Sequence, residues 1–232
     1  MNTHSSQVDE MFKAGAHFGY SKARRHPSVA SYVFATKNGV DIINIEKTEE
    51  QLAKVSEYVK ALAKSGKSII FVGTKPEAKQ SILETALPLG MPYVTERWVG
   101  GALTNFSEIK KRINRLLELR EQKEKGGLEK YTKKERLMID REMADMTKNF
   151  DGITSIQKIP EIMFVIDPKK EHIAVTEAKQ MNMKVIALLN TDCNLKLVDY
   201  SIVANDASVS SISFFTTAIK KAYKEGLDEI TK

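Results

Sequence analysis

One alternation constrains this chain more than any other feature: short β-branched runs recur between amphipathic stretches of helical spacing, and a single long segment breaks the pattern. Alternation of that kind selects an α/β fold with a mainly parallel sheet, because parallel neighbours need a crossover long enough to hold a helix. Strands are predicted at Asp41 to Ile45, Ser68 to Val72, Pro92 to Thr95, Ile162 to Ile166, Val185 to Leu189 and Tyr200 to Val203. Helices are predicted at Glu49 to Ser65, Pro76 to Leu89, Lys170 to Met181 and Ser208 to Glu225. Leu52, Val55, Val59 and Leu62 share one face of the first and Gly66 ends it, while Val209, Ile212, Phe215, Ile219 and Ala222 form the stripe of the last. Right-handed crossovers then place helices on both faces of the sheet, giving a three-layer sandwich.

The interruption runs over 105–150, where no strand signal occurs. Two helical patterns flank Gly126-Gly127: Phe106, Ile109, Ile113 and Leu116, then Ile139, Met143, Met146 and Phe150. Their alternating spacings of three and four give each helix a narrow apolar seam, the kind that pairs with another helix. The expectation is an antiparallel, coiled-coil hairpin that packs mainly on itself, inserted into a sandwich domain built from 1–104 and 151–232. From Ser107 to Asn149 there are thirteen Lys/Arg against nine Asp/Glu, so most of the chain's net charge of +6 sits on this arm.

Function classes narrow from here. The longest apolar runs are about five residues, such as Ile162 to Ile166, against the roughly 20 that span a bilayer. The first 30 residues hold no apolar h-region, and Asp9 and Glu10 argue against a transit peptide, so a cytoplasmic chain is expected. Cys193 is the single cysteine, with no partner for a disulfide or a Cys-x-x-Cys zinc site, and reads as a small buried apolar side chain. The four histidines, His4, His17, His26 and His172, show no metal-ligand spacing, so neither a metal nor a cofactor is expected. His17 reads as a structural imidazole bonded to backbone, since no nucleophile motif accompanies it. A pI of about 9.2 points to an anionic partner without choosing among RNA, DNA and phosphorylated metabolites.

An α/β layout invites an enzyme, so that alternative has to be weighed. After Val72 the chain runs Gly73-Thr74-Lys75-Pro76, one glycine where a dinucleotide turn wants three, and no P-loop occurs. A phosphosugar or nucleotide enzyme would have to use Thr74 and Lys75 for phosphate, with Asp167 or Asp192 at strand ends for chemistry. Strand termination and loop capping explain the same residues.

Two segments suit a nucleic-acid surface better. Tyr20-Ser21-Lys22-Ala23-Arg24-Arg25-His26-Pro27 is a cationic loop able to donate to phosphates. Glu96-Arg97-Trp98-Val99-Gly100-Gly101-Ala102-Leu103-Thr104-Asn105 leads into the basic helix start Lys110, Lys111, Arg112 and Arg115, with Thr104 or Asn105 as the cap. Trp98, the only tryptophan, either packs in the core, which its type favours, or stacks on a base. The arm's charge is either an anchor for an anionic partner or a solvated helix face.

At Arg97-Trp98-Val99-Gly100-Gly101-Ala102-Leu103-Thr104-Asn105-Phe106 the sequence resembles the bacterial ribosomal protein S-two family, the second protein of the small ribosomal subunit. Gly15-Ala16-His17-Phe18-Gly19, Asn38-Gly39-Val40-Asp41-Ile42-Ile43, Glu46-Lys47-Thr48, Phe71-Val72-Gly73-Thr74-Lys75, Gly90-Met91-Pro92-Tyr93-Val94 and Pro160-Glu161-Ile162-Met163-Phe164-Val165-Ile166-Asp167 follow in family order. The resemblance implies a five-stranded parallel sheet flanked by helices, a coiled-coil arm, no catalysis, binding to small-subunit ribosomal RNA beside neighbouring ribosomal proteins, and help in docking ribosomal protein S-one. By position it carries RNA binding to Lys22, Arg24, Arg25, Lys37, Arg97, Trp98, Thr104, Asn105, Lys110, Lys111 and Arg112, which Arg115 extends along the helix. Tyr20 stands where the family usually has a second histidine, and Asp192-Cys193-Asn194-Leu195 is less acidic than the usual turn, so a metal role at either place is not implied.

Overall fold

The computed structural model describes residues 3–156 and 158–229. A first helix, α1 (Thr3–Lys13), precedes a small antiparallel sheet of β1 (Phe18–Ser21), β2 (Val33–Lys37) and β3 (Val40–Ile43), in the order β1-β3-β2. Of these only β3 is predicted from sequence, and it belongs to this small sheet and not to the parallel one. Its predicted end at Ile45 is the start of α2 (Ile45–Lys64), because the Asn44 side chain accepts from Lys47 N at 3.3 Å and caps the helix there. Gly66, at φ 66°, ends that helix as expected.

The parallel sheet follows: β4 (Ile69–Val72), α3 (Pro76–Ala86), β5 (Tyr93–Val94), α4 (Phe106–Glu124), α5 (Lys133–Phe150), β6 (Ile162–Ile166), α6 (His172–Gln180), β7 (Lys184–Leu189), β8 (Tyr200–Val203) and α7 (Val209–Asp228). Its strand order is β5-β4-β6-β7-β8, every pair parallel. Near-continuous apolar strands are what such a sheet requires, since both faces are covered. Ile69, Phe71, Phe164, Ile186, Leu188 and Ile202 face a layer that includes α2, α3 and α7. Ile70, Val72, Met163, Val165, Val185, Ala187 and Val203 face the opposite layer, where α6 contributes Ala174, Val175 and Ala178. The three-layer sandwich is thus present.

Both edges of the sheet are closed. On β8 the Val203 N–H donates to Gln51 Oε1 at 2.9 Å and its carbonyl accepts from Thr48 Oγ1 at 2.6 Å, so α2 side chains occupy the outer backbone. On β5, a Cβ added at Gly152 would lie 2.2 Å from the Tyr93 carbonyl oxygen, so the chain returning from the arm lies directly against the short edge strand.

The arm is an antiparallel helical pair. Arg120 reaches Thr147 Oγ1 at 3.0 Å and Lys123 reaches Asp140 at 2.8 Å, so positions rise along α4 as they fall along α5. A capping box between Thr132 and Glu135 starts the second helix. The two helices pack chiefly on each other, and the root of the arm is also joined to the sandwich core. Ile109, Ile113 and Phe150 are buried in the same cluster as Val72, Trp98 and Leu103, with Phe106 and Met146 against it. Leu116, Leu119 and Leu128 are buried outside that cluster, toward the tip. We therefore propose 105–150 as a distinct unit only beyond its base.

Two deletions separate base from tip. Replacing 120–142 with a short Gly-Ser bridge should keep cooperative unfolding with Tm nearly unchanged. Replacing 107–149 removes two buried isoleucines, each contributing about 1.5–3 kcal/mol, and should lower Tm by on the order of 10 °C. Equal Tm values for the two deletions, read by calorimetry, would show that the base adds nothing to the core.

Candidate nucleic-acid interface

The loop between β5 and α4 is held by a buried carboxylate. Glu177 on α6 is 6% exposed. Its Oε1 accepts from Trp98 Nε1 at 3.2 Å and Gly101 N at 2.8 Å, and its Oε2 from Leu103 N at 3.0 Å and from Thr104 N and Oγ1, both at 3.3 Å. Burial opposes ionisation there, but these donors outweigh it and hold the carboxyl below the usual carboxylate range. Gly101, at φ 86°, supplies the left-handed residue that turns the chain around the carboxylate.

That geometry sorts the predicted residues. Trp98 is buried in the core with its N–H turned to Glu177, so its face is not offered to a base, and the structure corrects the stacking role. Arg97 is exposed, as are Thr104 and Asn105. Neither of the last two caps α4 through its side chain: Asn105 occupies the cap position without a side-chain bond, and Thr104 is engaged by Glu177. Lys110, Lys111, Arg112 and Arg115 are exposed on α4. They do not form one face, because Lys110 and Arg112 are about 160° apart at 3.6 residues per turn. Lys111, Arg112 and Arg115 do share a groove, with Glu108, Glu142 and Met146, and Lys111 ion-pairs with Glu108 at 2.7 Å.

The second basic segment is fastened to the C-terminal end of β7. Tyr20 N donates to Thr191 Oγ1 at 3.0 Å and His26 N to the Thr191 carbonyl at 2.8 Å. Between them Lys22 and Arg24 are exposed on one 3-10 turn, Arg24 lying 5.8 Å from the Tyr20 ring centroid. Arg25 turns partly inward, 3.5 Å from Asp41, whose side chain is fully buried, so part of its charge is spent on that carboxylate. Lys37 is exposed on β2. The sequence reading has His17 bonded to backbone, but its Nδ1 is buried without a partner, and the ring lies 5.0 Å from Phe12 and 4.1 Å from Phe18.

Where an α/β enzyme would bind its substrate, the chain has filled the place itself. β4 continues into α3 on one face and β6 into α6 on the other, so the crevice between their C-terminal ends is a topological switch point. Lys75 lies in it, 2.6 Å from Asp167 and 2.8 Å from Asp206, its side chain 12% exposed. Burial works against the ammonium, yet Asp206 and Asp167 hold its pKa above the ordinary value. Thr74 gives both its N–H and its hydroxyl to Glu171, a carboxylate where a phosphate would have to sit. Asp167 caps the next turn, accepting from Lys169 N and Lys170 N at 3.1 Å each. Cys193 is buried, and burial first and then Asp167 push its thiol pKa up. Among the described residues no three His, Cys, Asp or Glu side chains are grouped to hold a metal ion, and no helix is long and apolar enough to cross a membrane.

Comparison with known proteins adds independent findings. Residues 11–226 match the family model described as ribosomal protein S2. The chain is 43% identical over 220 residues to the small ribosomal subunit protein uS2 of Mycolicibacterium vanbaalenii, covering 95% of this chain and 81% of the relative. It is 43% identical over 220 residues to the uS2 of Nocardia farcinica, covering 95% and 77%, and 41% identical over 221 residues to that of Dictyoglomus thermophilum, covering 95% and 90%.

Glu177 has a depressed folded pKa, so the stability it contributes is present above its unfolded pKa of about 4.3 and lost as pH falls through the folded value. Trp98 fluorescence should therefore stay constant from neutral pH to about 4.5 and shift to longer wavelength below it. Glu177→Gln, which turns an amide N–H toward backbone donors, should show the shifted emission already at neutral pH and lose roughly 1–3 kcal/mol of stability. Wild-type emission in this variant would mean that the loop holds its shape without the carboxylate.

Proposed function

This chain belongs to the ribosomal protein S2 family, and from that membership we propose that it is a structural constituent of the small ribosomal subunit, located on the cytoplasmic ribosome and binding ribosomal RNA there. The family is one of ribosomal structural proteins and not of enzymes. The closure of the switch point by Lys75, Asp167 and Asp206 agrees with that, since the residues an enzyme would use are committed to one another.

One observation supports the RNA reading: the arm carries exposed cations that have no carboxylate partner, both at its root and toward its tip. Arg97, Arg112 and Arg115 at the root, and Lys133, Lys134, Arg136 and Arg141 toward the tip, are exposed with no ion-pair partner among the described residues, whereas Arg120, Lys123 and Lys125 are paired with Asp151, Asp140 and Glu121. Exposed, unpaired cations are the groups that gain from neutralising phosphates. Lys22 and Arg24, with Lys37 and the polar rim at Thr104 and Asn105, supply further donors for phosphate and sugar. Docking of ribosomal protein S-one is proposed on the resemblance, and the exposed Phe12, Phe18, Phe34 and Val40 near the small sheet are the apolar surface suited to a protein partner.

Affinity for small-subunit RNA should fall with salt by a slope of roughly 0.9 per phosphate neutralised on duplex-like RNA. Changing Lys111, Arg112 and Arg115 together to Gln should reduce that slope by about two to three and leave the fold intact. The same change at Lys220, Lys221 and Lys224 on α7 should do much less. Equal slopes for the two triple variants would refute the placement of RNA on this face.

A further inference from the structure

We propose that the groove at the root of the arm receives a single unpaired RNA base, one bearing an exocyclic amino group. This rests on the RNA-binding reading and specifies what the surface recognises beyond phosphate. The groove is lined by Arg97 and Val99 from the loop, Arg112 from α4, and Asp145, Met146 and Asn149 from α5, beside the buried Trp98 and Phe150. Its volume is about 310 Å³, at the low end of the roughly 300–1,000 Å³ of small-molecule sites, so it has room for one base and not for a duplex.

The chemistry of the walls is divided in the way a nucleotide is divided. Val99 and Met146 are half-buried and, with Trp98 and Phe150, make an apolar lining of the kind a base prefers to water. The two guanidiniums at the rim are positioned for the flanking phosphates or for lying flat on the base. The polar groups of the α5 wall are mostly acceptors. Asp145 is a carboxylate with no ion-pair partner among the described residues, and the Asn149 amide donates to the Asp145 carbonyl at 2.9 Å, which leaves its oxygen available. Acceptors match the amino edges of cytosine, adenine or guanine and leave uracil's carbonyls unpaired. A negative Asp145 also disfavours a phosphate inside the groove, so the base enters and the backbone stays at the rim. Glu177 fixes the loop wall in place before any ligand arrives.

The test uses small subunits stripped of this protein, to which the wild-type chain, an Arg97→Gln, Arg112→Gln variant, or a Lys110→Gln, Lys134→Gln control is returned. All four side chains are exposed, so both variants remove two charges without touching the core. Binding is measured by sedimentation, and base edges of the RNA are probed chemically. The wild type and the Lys control should protect the base edge of one unpaired cytosine, adenine or guanine, and Trp98 fluorescence should change on binding. The Arg variant should lose that protection and bind roughly tenfold more weakly, as expected from the loss of one base contact. Protection of sugar and phosphate positions alone by the wild type, or base protection that survives in the Arg variant, would overturn the proposal while leaving RNA binding intact. Failure of the wild type to bind the stripped subunits would overturn the RNA reading itself.

Discussion

A carboxylate placed in a core must collect donors or lose its charge, and Glu177 has collected them from a stretch that has no regular structure of its own. Three backbone N–H groups, an indole and a hydroxyl converge on it, so the loop from Trp98 to Thr104 is anchored to α6 through one side chain. Much depends on that anchor. The loop sets the direction in which α4 leaves the sandwich, seats Trp98 in the core and leaves Arg97 outside. Because the carboxylate comes from α6 and the donors from the β5 to α4 connection, one interaction ties the sandwich to the root of its arm.

The same principle, an internal charge satisfied by internal partners, works in the opposite functional direction at the switch point. Lys75 between Asp167 and Asp206 forms a closed set at the position where this topology offers a ligand crevice. Breaking such a set by removing one member is costly, on the order of 3–5 kcal/mol, because the remaining charges stay buried. The fold thus keeps the α/β scaffold and fills its usual pocket with its own side chains.

Much of this was legible in the sequence, and the exceptions have physical causes. Strands buried on both faces announce themselves as apolar runs, and Tyr200 to Val203 was placed to the residue. Helix bounds followed from stripes and glycines to within a few residues. The strands β1 and β2 were not legible, because the small sheet exposes most of its side chains and so carries no apolar alternation. At the site, exposure separated the basic residues that sequence had grouped: Arg25 was partly engaged by Asp41, and helix geometry split Lys110 from Arg112. Glu177 was missed altogether. Its signal was its position three residues after Ala174 and one before Ala178, in the apolar stripe of α6, where an ordinary surface glutamate would not stand.

The closed edges of the sheet bear on the chain before it meets its partner. A five-stranded parallel sheet forms slowly, since every pairing awaits a crossover, and an open edge strand in that interval would template pairing with other copies. At β8 the outer backbone of Val203 is taken by Gln51 and Thr48 of a helix that precedes it in the chain, and at β5 only two residues are in strand form. The parallel sheet therefore offers little free edge for cross-pairing once α2 has docked.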